Sequence, residues 1–421
     1  MQLNNQVAAK TLAFVLAGGA GRRLNPLTKY RPKPLVPFGG CFRILDFTLS
    51  NCFNSDVDCV YVLTQHESET MAGYLRKGWG RFGAKREFAV PRPAMTGRCY
   101  AGTADALLQN LYLVREHGCM FALVVSADHV YKMDYRNLLE SHVASGADVT
   151  IAAVDHPKEF ASEMGVLEVD QNNSVFAFKE KPRNAHRKSK ADETVLVNMG
   201  VYVFNIDALR STVQTAQTPI IDIAVDLIPQ LLESCKVNAY RHKASPDTSP
   251  LYWRDVGTVE AYYEANMDLL APGAPMDPYD PSWPIRSASG PRIWDRSVLS
   301  DVGNEVDVNS IIPRAAHIDG ALVYRSVLSL GVVLESGAEV RHSVLLPGAV
   351  IRRGASVQHA IIDAHVVVEA GDRVGYSRGG DQSRFHVSPN GVVVVSPDHV
   401  APFFTTDTVT RPDASEHVRA I

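Results

Sequence analysis

In the run "VLAGGAGRRLNPLTKYRPKP", Gly18, Gly19 and Gly21 are followed by Arg22, Arg23, Lys29, Arg31 and Lys33, and no acidic residue appears before Asp46. Glycines without side chains let backbone amides approach a ligand closely, and a turn after them can aim those amides at phosphate. Two known phosphate loops do not fit. A P-loop needs Lys-Ser or Lys-Thr after its last glycine, and none follows here. The dinucleotide fingerprint G-x-G-x-x-G reads G-A-G-R-R-L from Gly19, with Leu24 where close helix–strand packing requires glycine. Hydride transfer is therefore disfavoured. A glycine loop with its own cations suits a ligand carrying several phosphates, one group of which leaves as an anion.

Carboxylates supply the complementary chemistry. Asp128 in "VVSADH" stands just past an apolar strand, where open parallel sheets gather ligands. A hard oxygen ligand there suits Mg²⁺, whose remaining positions substrate phosphates fill. Asp255 in "LYWRDVGT" is a second candidate for the same ion, although the sequence does not bring the two together. Glu180 and Lys181 in "FKEKP" pair a hydroxyl acceptor with a phosphate-binding ammonium. His129 carries no assigned role.

These residues need strands and helices to hold them. "TLAFVLAGG", "DCVYVLTQ", "MFALVVSADH", "ADVTIAAV" and "VLVNMGVYVF" read as strands. "RILDFTLSNCFNS", "TADALLQNLYLVREHG" and "IDIAVDLIPQLLES" read as helices, the second opened by Thr103 as its cap and closed by Gly118. Such alternation predicts an α/β domain, a Rossmann-like, mostly parallel sheet covered by helices, over residues 1–270. Five prolines in 271–285 predict a linker, placed at 271–290.

Beyond it the period changes. Val333, Val350 and Val367 recur with Gly337, Gly354 and Gly371 and with Val340, Val357 and Val374, a 17-residue spacing. Gly320, Val323 and Val327 continue the frame backwards, and Leu328, Leu345 and Ile362 extend it. A unit this short matches one coil of a parallel β-helix with small residues at its corners, predicted for 291–421 together with a C-terminal extension. A coil stack exposes an end, so oligomerisation is expected.

Composition bounds the partners. The 421 residues are 46% hydrophobic and 21% charged, with net charge -4. That is a globular profile without the basic surface nucleic acid requires. The six cysteines lack CxxC pairs and read as reduced thiols. No apolar stretch is long enough to span a membrane, and the start lacks a signal core, so a cytoplasmic location is expected.

Together "VLAGGAGRRLNPLTKYRPKPLVPFGG", "RILDFTLSN", "YAGTADAL", "SADHVYKMDY", "FKEKP" and "YWRDVGT" resemble the glucose-1-phosphate adenylyltransferases of bacterial glycogen synthesis, from about residue 11 to 375. The resemblance implies a left-handed β-helix at the C-terminus, a homotetramer, and the Mg²⁺-dependent reaction of ATP with glucose 1-phosphate to ADP-glucose and pyrophosphate. It places Leu16, Gly18, Gly19, Gly21, Arg23 and Lys33 around the triphosphate, with Gln65 and Gly102 near the base. Arg23, Lys33 and Asp128 would serve catalysis, and Asp128 and Asp255 would hold the metal. Tyr100, Gly165, Glu180, Lys181 and Asn198 occupy the glucose 1-phosphate positions. Arg31 and Arg43 match basic positions of a site for anionic metabolite regulators.

The sequence also departs from that pattern. Asn198 stands where the family usually has serine, which leaves the sugar open: glucosamine 1-phosphate is an alternative, as is another nucleotide. "DIAVD" retains only Asp222 and Asp226 of a longer family run. Tyr30 replaces a lysine and Pro37 a histidine at the regulatory positions, so a weak response to fructose 1,6-bisphosphate is expected. A non-catalytic regulatory subunit would lose charged site residues, yet Arg23, Lys33, Asp128, Lys181 and Asp255 are all present. An acyltransferase using His342, His359 or His365 on a short β-helix is a remaining alternative.

Overall fold

The computed structural model describes residues 7–81, 87–94, 99–182, 194–242, 252–287 apart from 272 and 275, and 309–399. Four strands form the parallel heart of the first domain: β1 (Thr11–Ala17), β2 (Cys59–Thr64), β3 (Val90–Pro93) and β4 (Phe121–Ser126). β1 lies between β2 and β4, and β3 flanks β2. Leu12 to Val15 are fully buried, as a central strand covered on both faces requires.

The other half of the sheet runs differently. After β5 (His129–Tyr131), strands β6 (Val149–Pro157), β7 (Gly165–Val169), β8 (Val175–Glu180) and β9 (Thr194–Asn205) follow. β9 pairs antiparallel with β4, β6 and β7, and β8 pairs antiparallel with β7. A further strand, β10 (Val237–Arg241), lies parallel to β6. The parallel half ends in the glycine loop and the antiparallel half ends in "FKEKP".

Two helices border the site. α1 (Ile44–Asn54) starts with Asp46 accepting the backbone N–H of Arg43 at 2.8 Å. α2 (Thr103–Asn110) begins after Gly102, not after Thr103 as expected. Its first amides are satisfied by the carbonyl of Ile221, so the Thr103 hydroxyl is free to turn elsewhere. The predicted helix beginning at Ile221 opens instead as a wider π-turn, Ile223–Leu227, before the α-helix Ile228–Ser234.

The proline-rich segment is a packed strap. Met276 and Ile285 are buried, Tyr279 donates to the carbonyl of Gly39 at 2.9 Å, and Trp283 donates to Asn51 at 3.0 Å. Its continuation, 288–308, lies outside the described residues, as do 400–421.

The 17-residue repeat folds as three parallel ladders. Val333, Val350 and Val367 stack on one side, Val323, Val340, Val357 and Val374 on the second, Val327 and Val344 on the third. On the first side the inward, buried residues are Leu334, Ile351 and Val368, one after each repeated valine. The coil turns use left-handed backbone at Gly320, Gly337, Gly354 and Gly371, but also at Arg325, His342 and His359, and at Gly331, Gly348 and His365. The histidines are thus corner residues. His342 gives its carbonyl to Tyr263 at 2.6 Å, and His359 Nδ1 lies 3.1 Å from the same hydroxyl. Both are engaged in docking the coil on the first domain. One apolar cluster runs through that junction, from Leu24, Val36 and Phe38 to Val327, Val344 and Ile361.

Candidate active site

The loop after β1 turns at Gly21, whose φ of +60° is left-handed. A Cβ added there would lie 2.8 Å from Cβ of Lys33. Glycine is needed for both reasons, and the close approach brings Lys33 under the loop. Thr28 donates to the Gly21 carbonyl at 3.0 Å, fixing the turn. Leu24, which spoils the dinucleotide pattern, is fully buried and anchors the loop to the core.

Lys33 is almost buried, with its ammonium 2.9 Å from Asp128 and 3.2 Å from Asp255. Strand β11 (Trp253–Asp255) pairs antiparallel with β5, setting Asp255 opposite His129. That pairing brings together the two carboxylates that the sequence left apart. Ser126 donates to Asp128 at 2.5 Å, and Arg23 reaches to 4.0 Å from Asp255. Burial disfavours the charge on Asp128, but Lys33, His129 and the Ser126 hydrogen bond outweigh it and hold the carboxyl well below the usual range. Burial likewise lowers Lys33, and Asp128 and Asp255 more than restore it, leaving the ammonium raised.

Ligand atoms of Asp128, His129 and Asp255 all lie within 4.8 Å of one another. Two hard carboxylates beside a cleft lined by the glycine loop suit Mg²⁺, which keeps other positions for further oxygen ligands. The donor set fits such an ion, and Asp128 and Asp255 could serve as its ligands.

Two clefts meet here. The larger, about 590 Å³, is lined by Gly18, Gly19, Gly21, Lys33, Gln65 and Asp128, with Tyr100 and Gly102 across from the loop. Gln65 accepts the backbone N–H of Tyr100 at 2.8 Å, joining the ends of β2 and the segment before α2. The smaller, about 310 Å³, is lined by Gly165, Glu180, Lys181, Asn198 and Asp255. Leu16, Arg23, Thr103 and Ser126 belong to both.

Four of the five residues expected at the sugar phosphate therefore share one cleft. Tyr100 does not. It lines the larger cleft, and its hydroxyl accepts from Asn110 at 3.0 Å. At Gly165 a Cβ would meet the Phe178 ring at 2.6 Å and Glu180 at 2.8 Å, so glycine there admits the carboxylate. Lys181 extends beside Glu180 at 3.2 Å. Asn198 is held at both ends: its carbonyl accepts from Gly200 N–H at 2.9 Å and its amide donates to Tyr202 at 2.6 Å. A β-bulge in β9 between Asn198 and Val201 creates that geometry.

Arg31 and Arg43 are drawn into the fold. Arg31 pairs with Asp363 of the β-helix at 2.7 Å, and Arg43 donates to the carbonyl of Leu35 at 2.7 Å. Lys29 reaches Asp398 at 2.7 Å, and the Tyr30 hydroxyl donates to the same carboxylate.

Tyr202, Trp253 and Glu163, for which the sequence carried no expectation, also line the smaller cleft, together with Asp222 of the "DIAVD" run. Tyr202 had a signal: it follows Asn198 by four along a strand, and the bulge keeps both on the cleft.

Comparison with known proteins identifies the family. Residues 12–271 match the nucleotidyl transferase family, and 298–395 match the GlmU-like C-terminal hexapeptide family, consistent with a left-handed β-helix. The chain is 41% identical to glucose-1-phosphate adenylyltransferase 2 of Vibrio parahaemolyticus, over 91% of this chain and 98% of that protein. It is 41% identical to glucose-1-phosphate adenylyltransferase of Albidiferax ferrireducens, over 92% of this chain and 95% of that protein. A third relative, glucose-1-phosphate adenylyltransferase 2 of Alkalilimnicola ehrlichii, is 39% identical over 94% and 95% respectively. A glycine loop with its own cations, paired carboxylates at a cleft junction and a coiled C-terminal domain thus lead to one conclusion: the chain belongs to the glucose-1-phosphate adenylyltransferase family.

Proposed function

We propose that this protein joins ATP and α-D-glucose 1-phosphate into ADP-glucose, releasing pyrophosphate. The observation that carries the reading is the junction of the two clefts, where Lys33, Asp128 and Asp255 meet beside the shared residue Arg23. In this reading the larger cleft takes the nucleotide and the smaller the sugar phosphate.

The sugar phosphate is largely ionised at pH 7, with a second pKa of about 6. One of its oxygens attacks the nucleotide α-phosphorus in line, the bond to the bridging β-phosphate oxygen breaks, and pyrophosphate departs. No residue must remove a proton, so positioning and charge neutralisation carry the catalysis. Amides of Gly18, Gly19 and Gly21, with Arg23, hold the triphosphate. Lys33 exchanges its carboxylate partners for phosphate oxygens. Mg²⁺ held by Asp128 and Asp255 supplies positive charge to the phosphates. Glu180 accepts sugar hydroxyls, Lys181 holds the sugar phosphate, and Asn198 presents what remains of its amide.

The locked amide of Asn198 favours one second reading, a glucosamine 1-phosphate substrate. Pyrophosphate release with ATP, GTP, UTP, CTP and dTTP, each against glucose 1-phosphate and glucosamine 1-phosphate, separates the two. ATP with glucose 1-phosphate is expected to give the highest kcat/KM. Absence of turnover with that pair at millimolar Mg²⁺ overturns the reading.

A cytoplasmic homotetramer, regulated by anionic metabolites, completes the proposal. The described residues include no helix long and apolar enough to cross a membrane. Arg31, Lys29 and Tyr30 already engage carboxylates of the β-helix side, which supports a weak response to fructose 1,6-bisphosphate. Light scattering checks the assembly. A large activation by that bisphosphate, lost in Arg31→Ala, would contradict the weak response.

A further inference from the structure

The two clefts share a wall, and Thr103 is the polar hinge of it. Its hydroxyl donates to Asp222 Oδ2 at 2.9 Å and accepts the backbone N–H of Ile223 at 2.9 Å. Beside it, the amides of Ala104 and Asp105, the first free donors of α2, bond the Ile221 carbonyl at 2.9 and 3.1 Å. The segment is thereby stitched to the helix from two directions. It is stitched to itself as well. Asp222 Oδ1 accepts from Ala224 and Val225 at 2.8 and 3.0 Å, and Asp226 accepts from Ile221 and Asp222 at 2.9 and 2.7 Å. No slack is left between the helix start and the loop. Even Gly102 reflects this, since a Cβ there would lie 2.5 Å from the Ile221 carbonyl oxygen.

The two sides of the stitch face different clefts. Ala101, Gly102 and Ala106 line the larger cleft, whereas Asp222, Ile223 and Ala224 line the smaller. A shift of either segment must drag the other, because these part-buried hydrogen bonds would otherwise be broken.

We propose that Thr103 is a positioning residue that couples the nucleotide cleft to the sugar phosphate cleft, so that filling one sets the wall of the other. The proposal rests on the assignment of substrates given above. By linkage the coupling is reciprocal: each substrate tightens the other by the same factor.

The test compares the wild type with Thr103→Val, which keeps the shape and removes both hydrogen bonds, and Thr103→Ser, which keeps the hydroxyl. Thr103→Val is expected to raise the KM for glucose 1-phosphate at saturating ATP about tenfold and to leave the affinity for ATP, titrated without the sugar phosphate, within about twofold. The dependence of each substrate's apparent affinity on the other is expected to vanish in Thr103→Val and return in Thr103→Ser. Wild-type constants and intact mutual dependence in Thr103→Val overturn the proposal. So does an equal loss in binding of both substrates that Thr103→Ser does not restore, which marks a merely structural role. Calorimetry with α,β-methylene ATP, whose α–β bridge cannot be cleaved, reads the coupling without turnover. Failure of the wild type to make ADP-glucose would strike the functional reading and leave this measurement to be judged separately.

Discussion

Lys33 and Arg31 leave the same basic loop and meet acids on opposite sides of it. Lys33 bridges Asp128 and Asp255, whose side chains are each 34% exposed at the cleft. Arg31 meets Asp363, which is 1% exposed and belongs to the β-helix. Both are ion pairs of similar length, but their surroundings give them different work. At the cleft, the carboxylates are open to a new cation and the ammonium to a new anion, so the pair can exchange partners when substrate arrives. At the domain junction, apolar packing surrounds the pair, and separating it would strand a buried charge. Contact distance alone does not distinguish the two ion pairs; access does.

Variants on each side test that contrast. The largest effect is expected in the cleft: Asp128→Asn or Lys33→Met should lower kcat/KM for pyrophosphate release by about a thousandfold. Turnover close to wild type in Asp128→Asn would remove its metal role. Next comes the junction. Arg31→Met should cost about 3–5 kcal/mol in urea unfolding, because it leaves Asp363 buried without its partner. Adding Asp363→Leu should recover much of that loss. If Arg31→Met instead left stability intact and removed activity, the contrast between the two ends of the loop would collapse.

A fourth carboxylate sharpens the comparison, because among the described residues it forms no ion pair. Asp46 is fully buried and accepts from Tyr74, Trp79 and the Arg43 backbone. Burial dominates and pushes its carboxyl up to about 6, in spite of those hydrogen bonds. Relative to an unfolded value of about 3.9, the native state binds the proton more tightly. Its contribution to stability is complete below the unfolded value and is lost as pH rises through about 6, a change of about 3 kcal/mol. Denaturant melts from pH 4 to pH 7 should show that fall, and Asp46→Asn should flatten it. The smallest effect is expected at the loop's exposed edge, where Tyr30→Phe removes a surface hydrogen bond to Asp398 and should change stability by at most about 1 kcal/mol.

How far the sequence could be read varied with the range of the signal. The 17-residue frame of the coil was legible because each position meets its own repeat, so a one-dimensional pattern fixes a three-dimensional ladder. Its inward set was harder, since Leu334, Ile351 and Val368 sit beside the more regular valines. The strap at 271–287 read as a linker because prolines signal irregular backbone, and say nothing about what packs on it. Thr103 read as a cap because hydroxyls at helix starts usually cap. Here a distant carbonyl does so, and no local signal announces it.

By itself, the sequence determined the glycine loop, its cations, the strand leading to Asp128 and the coil repeat. These are local: backbone freedom, charge and period are properties of neighbouring residues. The tertiary structure alone decided that Asp255 stands beside Asp128, that Tyr100 faces the larger cleft, and that Arg31 faces a carboxylate of the second domain. Each depends on how segments far apart in the chain pack, through the pairing of β5 with β11, the placing of α2, and the apolar junction that seats the β-helix on the first domain.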